Sequence, residues 1–222
     1  MKRITQILTL LVVVIGMVSW MIYTKINRAA LNQALCVAAA NGDSASVESL
    51  LARGANPNGV GFIPNPDGDC NDASQEDCGP SPALFFAVIG SPGNHPDPMA
   101  TVSVLLRAGA DVNAKAMRNE GATALMWGMS PSLEKLLLAH GAKVDLRDND
   151  GRTALMYAVD SNLGSVQTLV QAGADINARD NRGKTALGCA QPYDNPQDSS
   201  DIQRNLEALR IASFLKMKGA RQ

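Results

Sequence analysis

The sequence predicts an all-α solenoid of about five helix-pair repeats, preceded by one N-terminal transmembrane helix. Three observations predict this fold: a nearly unbroken apolar run at the N-terminus, a Gly-Ala step that recurs after apolar pairs, and a Thr-Ala-Leu step that precedes those pairs. We therefore divide the chain into an anchor with its flank, residues 1–30, and a repeat domain, residues 31–222.

The N-terminal run extends from Ile7 to Tyr23, and as a helix its 17 residues would span roughly 25 Å, near the lower limit for a bilayer core. Lys2, Arg3 and the free amino group precede the run and Lys25 and Arg28 follow it, which favours a cytoplasmic N-terminus by a small margin. The short basic segment is typical of bacteria. The run could be a cleavable signal peptide or an uncleaved signal anchor. No small-x-small step follows it, which favours the anchor. We expect a single-pass protein of the bacterial inner membrane, with its C-terminal domain in the periplasm.

Beyond the anchor, two short motifs recur at a fixed offset and indicate repeated helix pairs. Thr before Ala-Leu is a good helix N-cap, Gly after an apolar pair suits the left-handed position that ends a helix, and Asp-x-x-Gly forms a tight turn. One such pair has too few apolar residues to close a core, so neighbouring pairs must stack. Gly-Ala stands at 54–55, 109–110, 141–142, 173–174 and 219–220, and Thr-Ala-Leu at 123–125, 153–155 and 185–187, with Pro-Ala-Leu at 82–84.

These motifs resemble the ankyrin-repeat family, most clearly in Gly-Arg-Thr-Ala-Leu-Met-Tyr-Ala at 151–158 and Gly-Ala-Asp-Ile-Asn at 173–177. The resemblance implies antiparallel helix pairs with projecting β-hairpin fingers, and a concave face that binds a protein partner. The family usually has Pro after the Thr and His after the Leu, and this chain has neither in the Thr-Ala-Leu repeats. The repeats are placed at about 31–55, 82–110, 121–142, 151–174 and 183–220, with an insertion at 56–81.

The insertion contains two of the four cysteines, Cys70 and Cys78, and a cluster of acidic residues around them. Cys70 and Cys78 are expected to form a disulfide, because export places them in an oxidising compartment. The loop 67–78 is rich in Asp and resembles the start of a calcium loop, but it lacks the Gly and Glu that such a loop requires at its sixth and twelfth positions. A solvated acidic loop is the default interpretation, and a calcium-binding or enzymatic role is an alternative.

The composition and motifs exclude several classes of function. A net charge of −1 and 4% aromatic residues argue against nucleic-acid binding. No zinc-ligand spacing, phosphate loop, dinucleotide fingerprint or nucleophile motif occurs, so we predict no catalytic, cofactor or metal residues, no cofactor and no small-molecule substrate. Phe86, Trp127 and Tyr157 share one repeat position; we interpret them as core residues, with a binding stripe as the alternative.

We therefore predict a non-enzymatic protein–protein interaction module that is tethered to the membrane through residues 7–23 and binds a partner on its concave face. The resemblance to ankyrin-repeat proteins also offers a narrower alternative, an immunity protein that neutralises a toxic phospholipase-type effector. The candidate partner-binding residues are those at finger tips, helix starts and inter-helix turns that the fold does not require. They are Asn119, Glu120, Asn149, Asp150, Arg152, Asp160, Ser161, Asn162, Asn181, Arg182 and Lys184.

Overall fold

The computed structural model of the protein describes residues 2–63, 80–90, 98–117, 121–191 and 199–221. Regular structure in these residues is almost entirely helical, which confirms the predicted all-α class. The helices are α1 (Lys2–Ala40), α2 (Ser44–Ala52), α3 (Ala83–Ile89), α4 (Pro98–Arg107), α5 (Ala124–Trp127), α6 (Pro131–Ala139), α7 (Ala154–Ala158), α8 (Leu163–Gln171), α9 (Ala186–Cys189) and α10 (Ser199–Met217).

The helices form two stacked layers. Each odd-numbered helix packs against the even-numbered helix that follows it, so the chain builds consecutive helix pairs. The odd-numbered helices also pack against one another in chain order and form an inner layer. The even-numbered helices do the same in an outer layer. This arrangement is a solenoid in which each repeat contacts only its neighbours.

Helix α1 runs unbroken through the predicted boundary between anchor and repeat domain. The side chains of residues 25–30 are exposed, and packing against the core begins at Leu31. Within the part of the chain that the structure describes, no helix is both long and apolar enough to cross a membrane.

Strand structure is sparse in the described residues. β1 (Val60–Gly61), which lies within the predicted insertion at 56–81, pairs antiparallel with β2 (Ser81–Pro82) at the end of that insertion. An isolated bridge joins Lys115 to Thr123 at the base of the next finger. The fingers of the later repeats are closed by turn hydrogen bonds. The insertion's Cys70 and Cys78, with the acidic loop around them, lie outside the described residues.

The capping residues predicted from the sequence are confirmed at some helix ends and not at others. Gly141 and Gly173 have φ of 88° and 90°, the left-handed conformation predicted for the residue after each outer helix. Thr185 caps α9, because its Oγ1 accepts from the Gly188 N–H at 3.2 Å. The same prediction is wrong for Thr153, whose buried Oγ1 has no partner in the described residues. There the N–H of Met156 donates to the backbone carbonyl of Thr153 at 3.0 Å and leaves the hydroxyl unused.

A ladder of asparagine side chains joins one repeat to the next along the loops after the outer helices. Asn113 Nδ2 donates to the Gly141 carbonyl at 3.1 Å, and its Oδ1 accepts from the Lys143 N–H at 2.8 Å. Asn58 makes the same two bonds to its own following repeat. Each amide thus satisfies a donor and an acceptor that would otherwise be left at a helix end.

The ladder is incomplete at Asp145, which occupies the position equivalent to Asn113. Its Oδ1 accepts from the Asp175 N–H at 2.9 Å, but a carboxylate cannot donate to the Gly173 carbonyl. Asp145→Asn supplies that donor and is expected to raise the free energy of unfolding by about 1 kcal/mol. Urea unfolding of the full chain measures the change. Asn113→Asp is the matched control and should be destabilising; a destabilised Asp145→Asn would contradict the ladder.

A buried carboxylate lies between the outer helices α6 and α8. Glu134 is 2% exposed, and its Oε2 has no hydrogen-bond partner in the described residues. It faces Ser165, which is fully buried and whose Oγ also lacks a partner there. Burial raises the pKa of Glu134 above its ordinary value, and the nearby Ser165 hydroxyl opposes part of that rise.

The raised pKa of Glu134 makes the folded state hold its proton more tightly than the unfolded chain does. The contribution of Glu134 to stability is therefore fully present below about pH 4.3, the unfolded value, and is lost as pH rises through the folded pKa. Glu134→Gln should stabilise the protein at neutral pH and flatten this part of the pH profile. Unfolding midpoints measured from acid to neutral pH test this, and an equally steep decline in both proteins would refute it.

Candidate binding face

Two aromatic side chains from consecutive inner helices pack against the core and against each other while remaining partly exposed. Trp127 at the end of α5 and Tyr157 in α7 have ring centroids 6.0 Å apart, with planes inclined at 41°. Both rings are half-buried. Phe86, at the equivalent position in α3, is only 1% exposed, so the core interpretation is confirmed for Phe86 but not for the other two. The pair therefore offers part of its aromatic surface to solvent.

The finger before α7 holds Tyr157 in place through one buried aspartate. Asp148 Oδ2 accepts from the Tyr157 hydroxyl at 2.7 Å, and its Oδ1 accepts from the Arg152 N–H at 2.8 Å. Burial and the adjacent Asp148 carboxylate raise the pKa of Tyr157 to about 12, so its hydroxyl stays a donor at physiological pH. The Arg152 guanidinium lies 5.6 Å from the centroid of the Tyr157 ring, within cation–π range.

In the next finger, Asp180 also accepts backbone hydrogen bonds, but α9 has no tyrosine at the position equivalent to Tyr157. Asp180 is buried, and its Oδ1 accepts from the N–H groups of Arg182 and Lys184 at 2.9 and 2.8 Å. The residue in α9 that corresponds to Tyr157 is Cys189, which is half-buried. Because Asp180 is engaged by backbone donors, the side chains of Arg182 and Lys184 are exposed and form no ion pair within the described residues.

Several predicted partner-binding residues also have structural roles. Asn181 Nδ2 donates to the Asn149 carbonyl at 2.9 Å, and the Asn181 N–H donates to the Asp150 carbonyl at 2.8 Å, so these residues tie one finger to the next. Gly151 must remain glycine here, because its φ is 77° and a Cβ would lie 2.5 Å from Asn181 Oδ1. The predicted residues Asn119 and Glu120 lie outside the described part of the chain.

The predicted residues in the inter-helix turn also differ in role: one caps a helix, and another is exposed to solvent. Asn162 caps α8, since its Oδ1 accepts from the Ser165 N–H at 2.9 Å and its Nδ2 donates to Ser161 Oγ at 2.8 Å. Asp160 is exposed and lines a cleft of about 210 Å³ with Cys189. Arg152, Arg182 and Lys184 are therefore the predicted cations that the fold leaves available, and the carboxylates of Asp150 and Asp160 are accessible as well.

The described residues show no arrangement suited to a metal ion or a reactive thiol. No group of three or more His, Cys, Asp or Glu side chains there could hold a metal. Cys36 is buried, and burial raises its pKa to about 12, which keeps it as an unreactive thiol. The acidic loop 67–78, the proposed alternative calcium site, is outside the described range.

The fold and this face define a class: a helix-pair repeat protein whose inner helices and fingers present a side-chain surface. The sequence matches the family model described as ankyrin repeats, in three copies, over residues 84–180 and 128–197. Together these matches cover just over half of the chain, and the protein belongs to the ankyrin-repeat family. Domains of this family generally act as non-enzymatic protein-interaction modules.

We expect the Tyr157–Asp148 hydrogen bond to make a measurable contribution to the free energy of unfolding. Tyr157→Phe leaves the buried Asp148 Oδ2 without its donor and is expected to lower the free energy of unfolding by about 1.5–3 kcal/mol, the usual range for a bond to a charged group. A double-mutant cycle with Asp148→Asn measures the coupling. Strictly additive effects of the two substitutions would show that the bond contributes nothing.

Proposed function

We propose that this protein binds a partner protein through the face formed by Trp127, Tyr157, Arg152, Arg182 and Lys184, without chemistry of its own. The observation that carries the proposal is the partly exposed aromatic pair, with the Arg152 guanidinium over the Tyr157 ring. Aromatic residues and arginine are the side chains that most often dominate binding energy at protein interfaces. Together, they give the face an apolar centre and a cationic border.

The charges of the face indicate the chemistry of the partner. Asp148 and Asp180 are buried and accept hydrogen bonds from the protein itself, so a partner at the surface meets the neighbouring cations rather than these carboxylates. The exposed or partly exposed cations are Arg152, Arg182 and Lys184. A partner segment with acidic side chains around an apolar or aromatic residue would complement this arrangement. Because stacked repeats hold the face rigid, little conformational entropy is lost on binding.

We also propose that the protein is anchored by residues 7–23 in the bacterial inner membrane, with the repeats in the periplasm. Lys2 and Arg3 stand before the run and Lys25 and Arg28 after it, so the charge bias between the two flanks is small, and the length and apolarity of the run are the main support. The apolar side chains Val14, Ile15 and Met17 of α1 are 50%, 57% and 62% exposed, so the repeat array does not cover them. A bilayer would cover such side chains at a gain in hydrophobic free energy.

Site-specific photo-crosslinking in cells tests the proposed binding face. A benzophenone amino acid placed at Arg182 or Lys184 of the full chain should give a defined adduct with another protein. The same probe at Lys135 in α6 or Gln171 in α8, both exposed on the outer layer, provides the matched control and should not.

The charge dependence of the adduct distinguishes specific binding at this face from non-specific association. The substitution Arg182→Glu should abolish the adduct from Lys184 while the unfolding midpoint changes little, because the Arg182 side chain is exposed. Adducts that arise equally from Lys135 and Gln171, or that survive the charge reversal unchanged, would overturn the proposed face.

A further inference from the structure

The last helix of the solenoid has a second apolar face, opposite the one that packs into the core. Ile211 and Leu215 of α10 are fully buried. Leu206, Leu209 and Met217 lie on the other side of the helix and are 49%, 52% and 74% exposed. The spacing of these three residues follows the helical repeat, so they form a stripe on one face, with Ser213 between Leu209 and Met217.

The stripe borders an open groove of about 560 Å³, to which Leu163 at the start of α8 and the half-buried Phe214 also contribute. A single exposed leucine needs no explanation, but a contiguous apolar groove on a terminal repeat does, because terminal repeats are usually polar on their outer side. The groove lies on the outer helices and includes none of the residues of the proposed binding face.

The charges around the groove are predominantly basic. Residues 199–222 contain five basic and two acidic side chains, whereas residues 24–198 contain thirteen basic and nineteen acidic ones. The two acids of α10 are occupied: Glu207 Oε1 accepts from the Leu163 N–H at 2.9 Å, and Asp201 Oδ1 lies 3.3 Å from Arg204 Nη1. Lys216 and Lys218 form no ion pair within the described residues, and Lys218 Nζ lies 5.8 Å from the centroid of the Phe214 ring.

We propose that the α10 face, defined by Leu206, Leu209, Met217, Lys216 and Lys218, docks onto an anionic lipid surface. An apolar stripe with lysines beside it is the pattern by which a helix lies in a membrane interface: the apolar side chains enter the boundary of the acyl chains, and the cations remain with the anionic headgroups. A second copy of the chain fits less well, because pairing two such faces would bring like charges together.

Combined with the proposed anchor at the N-terminus, this contact gives the array two attachments to the membrane. The anchor belongs to the first repeat and α10 to the last, so the two attachments lie at opposite ends of the stack. The inference rests on the proposed anchoring for the first attachment, whereas the affinity of α10 for lipid depends only on its own side chains.

Quenching of tryptophan fluorescence by lipids with brominated acyl chains tests the contact in the full chain. The protein is reconstituted into brominated phosphatidylcholine vesicles with or without phosphatidylglycerol. The reporter is Leu209→Trp, and the matched control is Lys135→Trp, an exposed position on α6. Subtracting the signal of the parent chain isolates the added tryptophan. We expect the tryptophan at 209 to be quenched when phosphatidylglycerol is present and the one at 135 to stay unquenched.

Adding Lys216→Gln and Lys218→Gln to the Leu209→Trp variant should remove this quenching, because the attraction to anionic headgroups is lost. The proposal is overturned if the tryptophan at 209 is quenched no more than the one at 135, or if quenching is independent of both phosphatidylglycerol and the lysines. A blue shift that grows with protein concentration, without quenching by lipid, would instead identify a second copy on this face and also overturn it.

The anchor is tested separately in the same vesicles. Trp20 lies in the apolar run, and comparison of the parent chain with Trp20→Phe isolates its signal. If Trp20 is not quenched while the tryptophan at 209 is, the anchoring proposal fails and the lipid contact of α10 stands. The reverse result overturns the α10 contact alone.

Discussion

The fold depends on the burial of apolar side chains between repeats that are too short to be stable alone. Helices α5, α7 and α9 have only four or five residues, well below the length at which an isolated helix persists in water. Their central leucines, Leu125, Leu155 and Leu187, are nevertheless at most 3% exposed, because neighbouring repeats cover them. The asparagine ladder adds directional bonds at the same junctions and fixes the register in which the repeats meet.

Packing between adjacent repeats also brings the residues of the binding face together. Tyr157 reaches Trp127 only because α5 and α7 are adjacent in the inner layer, although thirty residues separate the two side chains in the sequence. Within one finger, the backbone turn places Asp148 against the Tyr157 hydroxyl and the Arg152 N–H. The aspartate is thereby satisfied by the protein, and the guanidinium is left over the aromatic ring, where a partner can contact both.

The two proposed contact surfaces use the two layers of the solenoid differently. The inner layer and its fingers present an aromatic pair bordered by cations, which suits a protein segment with acidic side chains. The outer surface of α10 presents aliphatic side chains in a stripe with lysines beside it, which suits an extended anionic lipid surface. Separate surfaces for membrane and partner would allow both to be bound at once.

The helix pairs, their number and order, and the left-handed glycines could be predicted from the sequence, because they depend on short motifs such as Thr-Ala-Leu and Gly-Ala whose physical effects are local. Arg152, Arg182 and Lys184 could also be identified as candidates, since finger positions recur with the repeat. Which side chains remain available became clear only from the packing of the repeats. Asn181 and Asn162 form hydrogen bonds with neighbouring residues, while Trp127 and Tyr157 remain partly exposed. Burial and hydrogen-bond partners at such positions are set by the adjacent repeat, and no motif within a single repeat encodes them.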